Sequence, residues 1–239
     1  MKRTAIIYVH GHMGSRRQFS PLISLLPNDG SVDHYNISLP GHDGTITQFE
    51  RSHRKEWQKY VNDLITKKKK EYEELILVGH SMGGLLLINA AIAHPDKIRA
   101  IIAIAMPLYV KATIRGINIR LRSIGNARSG ESECISCARE LNGVSGVNYA
   151  NSYRLIPNTL GLFRIMKGTR HSLHKLTVPL TIINSVNDEI VSMKTVRTVE
   201  KVLPDVKTVV LAQSSHFWFS SDEVKLIKDQ IDMFLNTSM

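Results

Sequence analysis

Gly79-His80-Ser81-Met82-Gly83-Gly84 sets a serine at the centre of a G-x-S-x-G pattern. The apolar run Leu75–Val78 comes directly before it, and a helical pattern toward Ala93 follows. The expected context is therefore strand, sharp turn, helix. Such a turn forces strained dihedrals on Ser81 and lifts its hydroxyl to the carboxyl end of a sheet, while Gly79 and Gly83 leave room for nearby backbone. The following helix aims free N–H groups at a reacting oxygen. The chemistry this allows is nucleophilic attack by a serine hydroxyl.

A nucleophilic serine needs a base, and the base needs an acid to orient it. Among ten histidines, His216 sits just after the last expected strand, in Ser214-Ser215-His216-Phe217-Trp218. A loop there, at the carboxyl edge of the sheet, can reach Ser81; His34 and His53 have no such placement. Asn187-Asp188-Glu189 follows the strand Leu180–Asn184 in the same way. Asp188 is thus the candidate acid, with Glu189 second; the other position, after Ile98–Ala105, offers only Met106 and Pro107. His10-Gly11-His12-Met13-Gly14 follows the first strand, so its backbone can face Ser81. The backbone N–H groups of His12 and Met82 are the candidate oxyanion donors, and His10 is expected to brace the turn.

Positioning these groups takes a sheet. Strands are expected at Ala5–Val9, His34–Ser38, Leu75–Val78, Ile98–Ala105, Leu180–Asn184 and Lys207–Leu211. Amphipathic stretches alternate with them, at Gln18–Leu26, His53–Lys69, Met82–Ala93, Met193–Val202 and Glu223–Leu235. Apolar strands alternating with helices predict an α/β fold, a mainly parallel sheet of about six strands with helices on both faces. Residues 107–175 break the rhythm, with no strand of similar quality and many apolar residues. They read as a helical cap inserted between a first core part, residues 1–106, and a second, residues 176–239.

The 239 residues are 43% apolar, which suffices for one large domain and excludes global disorder. No apolar run reaches membrane-spanning length, and Met1-Lys2-Arg3 leads into too short an apolar stretch for a secretory signal, so a cytoplasmic protein is expected. Cys134 and Cys137 supply too few ligands for zinc and read as a reduced structural pair; no metal is expected. Lys67–Lys70 reads as the solvated end of a helix. The formal charge of +10 permits an anionic partner, but without aromatic enrichment or a binding motif it gives no case for nucleic acid.

His10-Gly11, Gly41-His42, the Gly79–Gly84 run, Asp188 with Glu189-Ile190-Val191, and Ser215-His216 together resemble the α/β-hydrolase superfamily. Within it the chain is most similar to small bacterial carboxylesterases and monoacylglycerol lipases, with Met106-Pro107-Leu108-Tyr109 and Leu176-Thr177-Val178-Pro179 resembling cap entry and exit. The resemblance implies a cofactor-free serine hydrolase that cleaves carboxylic esters through an acyl-enzyme, with Ser81, Asp188 and His216 as its triad. His12 departs from the apolar residue common at its position, and Ser192 from a frequent proline. The first strand also falls almost at the start of the sequence, where larger relatives carry extra strands. The same residues suit a lyase or carbon–carbon hydrolase acting on an acidic metabolite, and a low-turnover receptor on the same scaffold.

The cap carries most of the charge. Lys111, Arg115, Arg120, Arg122, Arg128, Arg139, Arg154, Arg164, Lys167, Arg170 and Lys175 face only Glu131, Glu133 and Glu140. Two readings follow: attraction of an anionic substrate or lipid surface, or a solvated outer face. Phe163, Met166 and Phe217 are the candidate substrate-pocket residues; at helical spacing, plain core is the competing reading. The oligomeric state is not legible at this level.

Overall fold

The computed structural model describes residues 4–111, 113–124, 127 and 129–236. β1 (Thr4–Val9) is followed by α1 (Ser20–Ile23), β2 (Val32–Ile37), β3 (Gly44–Thr45), α2 (Ile46–Arg51), α3 (Arg54–Glu71), β4 (Glu74–His80), α4 (Met82–Ala93) and β5 (Ile98–Ile104). The next stretch holds α5 (Ile114–Ile124), α6 (Glu133–Glu140), β6 (Val144–Ser145) and α7 (Ile156–Ser172). β7 (Leu180–Ser185), α8 (Lys194–Val202), β8 (Lys207–Leu211) and α9 (Ser221–Asn236) complete the order.

Six strands form one parallel sheet in the order β2-β1-β4-β5-β7-β8. The two-residue period of a strand sends its side chains to two separate cores. Ala5, Ile7 and Val9 of β1 and Leu75 and Leu77 of β4 pack with Trp57, Val61 and Ile65 of α3, and with α4, α7 and α8. Ile6, Tyr8, Ile76 and Val78 point the other way, toward Leu22 of α1 and Ile227 and Ile231 of α9. Both faces of the sheet are thereby covered, as its continuous apolar strands require. Among the described residues no helix is long and apolar enough to cross a membrane.

β1 and β4 are neighbours, in register from Thr4 with Glu74 to Val9 with Gly79, but their chains continue to opposite sides of the sheet. That reversal opens a crevice at the carboxyl ends of the two strands. The turn after β1 and the turn after β4 therefore meet. The chain between β5 and β7 lies over this crevice and is tied down at several points: Val110 bridges Val191, the Lys111 N–H donates to the Ile190 carbonyl, and Thr113 Oγ1 donates to the Glu189 carbonyl.

Two expectations need correction. The helix over Gln18–Leu26 is a 3-10 turn, Arg16–Phe19, followed by the four-residue α1. Pro21 has no N–H to continue a helix begun at Gln18. Among the described residues of 107–175 the one strand is the two-residue β6, paired in parallel with β3 outside the main sheet. The lysine run is only half solvated: Lys67 and Lys70 are exposed, but Lys68 and Lys69 are buried. Lys68 Nζ lies 3.8 Å from the Tyr35 ring centroid and bonds Glu71, and Lys69 Nζ donates to the His94 carbonyl and to Asp96. Lysine stems cover apolar surface while their heads find partners, so charge alone does not decide exposure.

α4 packs unusually tightly against the sheet. A Cβ on Gly83 would sit 1.9 Å from the Val9 carbonyl oxygen, and one on Gly79 would sit 2.5 Å from the Gly84 nitrogen. Both neighbours are backbone and cannot rotate aside. Gly83→Ala should therefore cost about 3 kcal/mol or more, lowering Tm by roughly 6–12 °C, which thermal unfolding by circular dichroism would measure.

Candidate active site

Ser81 stands at the turn between β4 and α4 with φ 51° and ψ −121°. A side chain held in this sparsely populated region costs on the order of 1–3 kcal/mol, and the surroundings must over-determine it. They do: the Ser81 N–H donates to the Ile104 carbonyl at 2.8 Å, and the Gly84 N–H donates to the Ser81 carbonyl at 3.1 Å. A Cβ on Gly11 would lie 3.0 Å from Ser81 Cβ, so the turn after β1 comes close to the serine. The Ser81 hydroxyl makes no hydrogen bond to another described residue, and its side chain opens into a cavity.

His216 lines the same cavity. Its Nδ1–H donates to Asp188 Oδ2 at 2.8 Å, which leaves Nε2 as the ring atom available to the serine. The other oxygen of Asp188 accepts the Ile190 and Val191 N–H groups at 2.8 and 2.7 Å. Burial alone would push the Asp188 carboxyl up, but the His216 charge and hydrogen bond, with the two backbone donors, hold it below its usual value. Glu189 touches a different part of the histidine: its Oε2 accepts the His216 backbone N–H at 3.2 Å. Asp188 orients the ring, and Glu189 holds the main chain.

Sequence reading missed Glu223, which holds the histidine loop from α9. Its carboxylate accepts the N–H groups of Ala212, Gln213 and Ser214 at 2.6, 2.9 and 2.7 Å, and the Ser214 hydroxyl as well. The available signal was Ser220-x-x-Glu223, a capping-box pattern, and the Glu223 N–H does donate to Ser220 Oγ. The pattern marks a helix start, and nothing in it says that the glutamate reaches across to another loop. His80 also went unassigned: its Nε2–H donates to the His216 carbonyl at 3.0 Å.

Three histidines shape the turn after β1. His10 Nε2 accepts the Leu39 N–H at 3.1 Å, so Nδ1–H is the donor to the Gly11 carbonyl. His42 Nε2 accepts the Met13 N–H at 3.2 Å, and its Nδ1–H faces the Pro40 carbonyl. His12 packs against Phe49 and Trp57. Burial keeps all three neutral, lowering His10, taking His42 well below its usual value, and holding His12 at about 3 with help from the Arg120 charge. His80 is likewise held at about 3, by burial first and the His216 charge second. The N–H groups of His12 and Met82 find no acceptor among the described residues, whereas those of Met13 and Gly14 are bonded.

The cavity has a volume of about 420 Å³. Its floor is formed by Gly11, His12, Ser81 and His216, and its walls include Ile117, Leu121, Leu155, Leu162 and Phe163. Phe163 and Phe217 line it as expected; Met166 does not. Met166 is 3% exposed and points into the core beneath α7, on the face that docks the helix onto α4. Of the basic residues counted in the insertion, Lys111 and Arg120 are the two that line the cavity among the described residues. Arg139 pairs with Glu131 and Arg154 with Glu50, while Arg128 lies outside the described residues. Cys134 and Cys137 are free thiols one turn apart on α6. No cluster of metal-ligating side chains occurs among the described residues.

Burial raises the Glu223 carboxyl, but the Ser214 hydroxyl and three backbone donors outweigh it, so the folded-state pKa falls below the unfolded value of about 4.3. Its contribution to stability is then full near neutral pH and is lost as pH falls through the folded-state value. Glu223→Gln should destabilise the protein at pH 7, and the gap to the wild type should be smaller at about pH 3. Urea titrations at both pH values check this.

A family model described as serine aminopeptidase, S33, matches residues 1–129. The chain is 30% identical over 105 residues to a putative esterase/lipase 2 of Mycoplasma genitalium, covering 44% of this chain and 38% of that protein. It is 28% identical over 159 residues to the mitochondrial palmitoyl-protein thioesterase ABHD10 of Rattus norvegicus, covering 66% of this chain and 50% of the relative. The chain thus spans half or less of the length of these curated relatives. Among solved structures, one from a study of the metagenome-derived lipolytic enzymes LipS and LipT superposes with a TM-score of 0.73. It covers 99% of this chain and 95% of that one at 16% identity, a likeness of fold. With the family model spanning more than half of its length and the six-stranded parallel sheet complete, the chain belongs to the serine aminopeptidase S33 family of α/β-hydrolases.

Proposed function

We propose that the protein is a carboxylic ester hydrolase in which Ser81, His216 and Asp188 act as a triad. The observation that carries this reading is the 2.8 Å bond from His216 Nδ1 to Asp188 Oδ2, on the wall of the cavity that Ser81 enters with strained dihedrals. Strain at one turn and a bonded imidazole–carboxylate pair beside it is a costly combination with no packing purpose.

In this reading Ser81 Oγ attacks the ester carbonyl while His216 Nε2 takes its proton. Asp188 fixes the tautomer and stabilises the imidazolium. The oxyanion rests on the His12 and Met82 N–H groups, which are otherwise unused. His216 then returns its proton to the leaving alkoxide, leaving Ser81 acylated. Water, activated by the same histidine, frees the acid. Residues 107–175 act as a cap: Leu155, Leu162 and Phe163 give an apolar wall for the acyl chain, opposite Phe217. No cofactor takes part in these steps. The esterase and thioesterase named among the relatives support acyl transfer, and the receptor alternative leaves the bonded pair without a purpose.

A series of p-nitrophenyl esters from acetate to palmitate tests the reading. Activity is expected to peak among short and middle chain lengths, given a cavity of about 420 Å³. Ser81→Ala should lose about 10⁴-fold or more in kcat, and Asp188→Asn about 10³–10⁴-fold, with both variants folded. An Asp188→Asn enzyme within tenfold of the wild type would remove Asp188 from the mechanism. No hydrolysis of any ester would favour the lyase alternative.

A further inference from the structure

Among the described residues Arg120 is the arginine of the insertion that lines the cavity. Arg139 and Arg154 are held by carboxylates, and Arg170 donates to the Leu108 carbonyl. Arg120 projects from α5 one turn beyond Gly116, whose own Cα is pressed against the Glu189 carbonyl. Its guanidinium lies 4.9 Å from the Phe217 ring centroid and lines the cavity that holds Ser81 and His216. Among the described residues its side chain makes no hydrogen bond, and no carboxylate oxygen comes within 4.0 Å.

Arg120 is half-buried, and its guanidinium carries five N–H donors that call for acceptors. Stacking on Phe217 satisfies none of those donors. Glu189 is close enough to be felt electrically, yet one of its oxygens accepts the His216 N–H and the other is sealed from solvent with no partner. One carboxylate oxygen is thus engaged by the histidine loop and neither lies within 4.0 Å of Arg120, whose fork opens to the cavity. Lys111, on the same wall, makes no ion pair among the described residues and adds a second positive charge.

We propose that Arg120 recognises a carboxylate carried by the substrate, so that the preferred ester is one with a free carboxylate a few bonds from the scissile carbonyl, such as the half-ester of a dicarboxylic acid. The planar fork matches a carboxylate with two parallel hydrogen bonds. A singly charged carboxylate suits the site better than a doubly charged phosphate, because Glu189 and Asp188 are nearby. Ile117 and Leu121 line the same cavity as Arg120 and Ser81 and offer apolar surface to the methylenes of such an acid. This assignment rests on the esterase reading above for its substrate class, and on the Arg120 geometry for its charge.

The test compares 4-nitrophenyl glutarate half-ester with 4-nitrophenyl pentanoate, which has the same chain length and no charge. The wild type should favour the half-ester in kcat/KM. Arg120→Gln should lower the half-ester to pentanoate ratio by about tenfold or more, chiefly through KM, with Arg120→Lys in between. A ratio within twofold of the wild type in Arg120→Gln would overturn the assignment. A second arm needs neither turnover nor an Arg120 variant: Ser81→Ala is titrated calorimetrically with monomethyl and with dimethyl glutarate. The monoester should bind about tenfold or more tightly, and equal binding would overturn the assignment. If no ester is hydrolysed yet the monoester binds selectively, the esterase reading falls and Arg120 keeps its role. If esters are hydrolysed with a flat ratio and equal binding, the reverse holds.

Discussion

The closeness of α4 to β1 governs this structure. With no side chain on Gly83, the helix backbone comes against the Val9 carbonyl, and the turn before it has one way to close. That closure puts Ser81 at φ 51° and fixes where its hydroxyl emerges. It also brings Gly11 against Ser81, so the turn after β1 must bend away from the serine and present its main chain to it. The crevice position follows from strand order; the distances within it follow from this one contact.

A second theme is the use of neutral histidines as rigid hydrogen-bonding struts. His10 and His42 each accept a backbone N–H through Nε2, which leaves Nδ1 as the donor and fixes the tautomer. Their rings lie 4.8 Å apart beside Phe49 and Trp57, where a charge would be strongly disfavoured. The result is a turn whose shape does not change with protonation near neutral pH. On the other side, His216 is held through its ring, its N–H and its carbonyl, by Asp188, Glu189 and His80. Orientation at that residue is over-determined, which suits the proton-carrying role proposed for it.

Much of this was legible in the sequence. Apolar strands alternating with helices gave the parallel sheet, and a residue's place after a strand end singled out Asp188 and His216 from many candidates. Such reasoning works because parallel strands deliver their following loops to one edge. It failed where the outcome depended on which face of a helix turns inward. Met166 and Phe163 lie three residues apart on α7, yet one is core and the other cavity wall. Lys68 and Lys69 are buried because Tyr35 and the His94 carbonyl happen to be within reach of their stems. The reach of Glu223 was hidden for a related reason: apart from the Ser214 hydroxyl its carboxylate meets backbone N–H groups, which leave no mark on residue type.

The fastening of the insertion sets a limit on its modularity. Val110, Lys111 and Thr113 bond to Val191, Ile190 and Glu189, the residues directly after Asp188. Residues 110–113 and the loop that follows Asp188 are therefore fastened to each other, largely through main-chain groups. Exchange of residues 107–175 for another sequence would leave the loop after Asp188 undisturbed only if this junction travelled with it. Diversification is freer farther along, around Tyr149 and Tyr153, where the side chains are exposed.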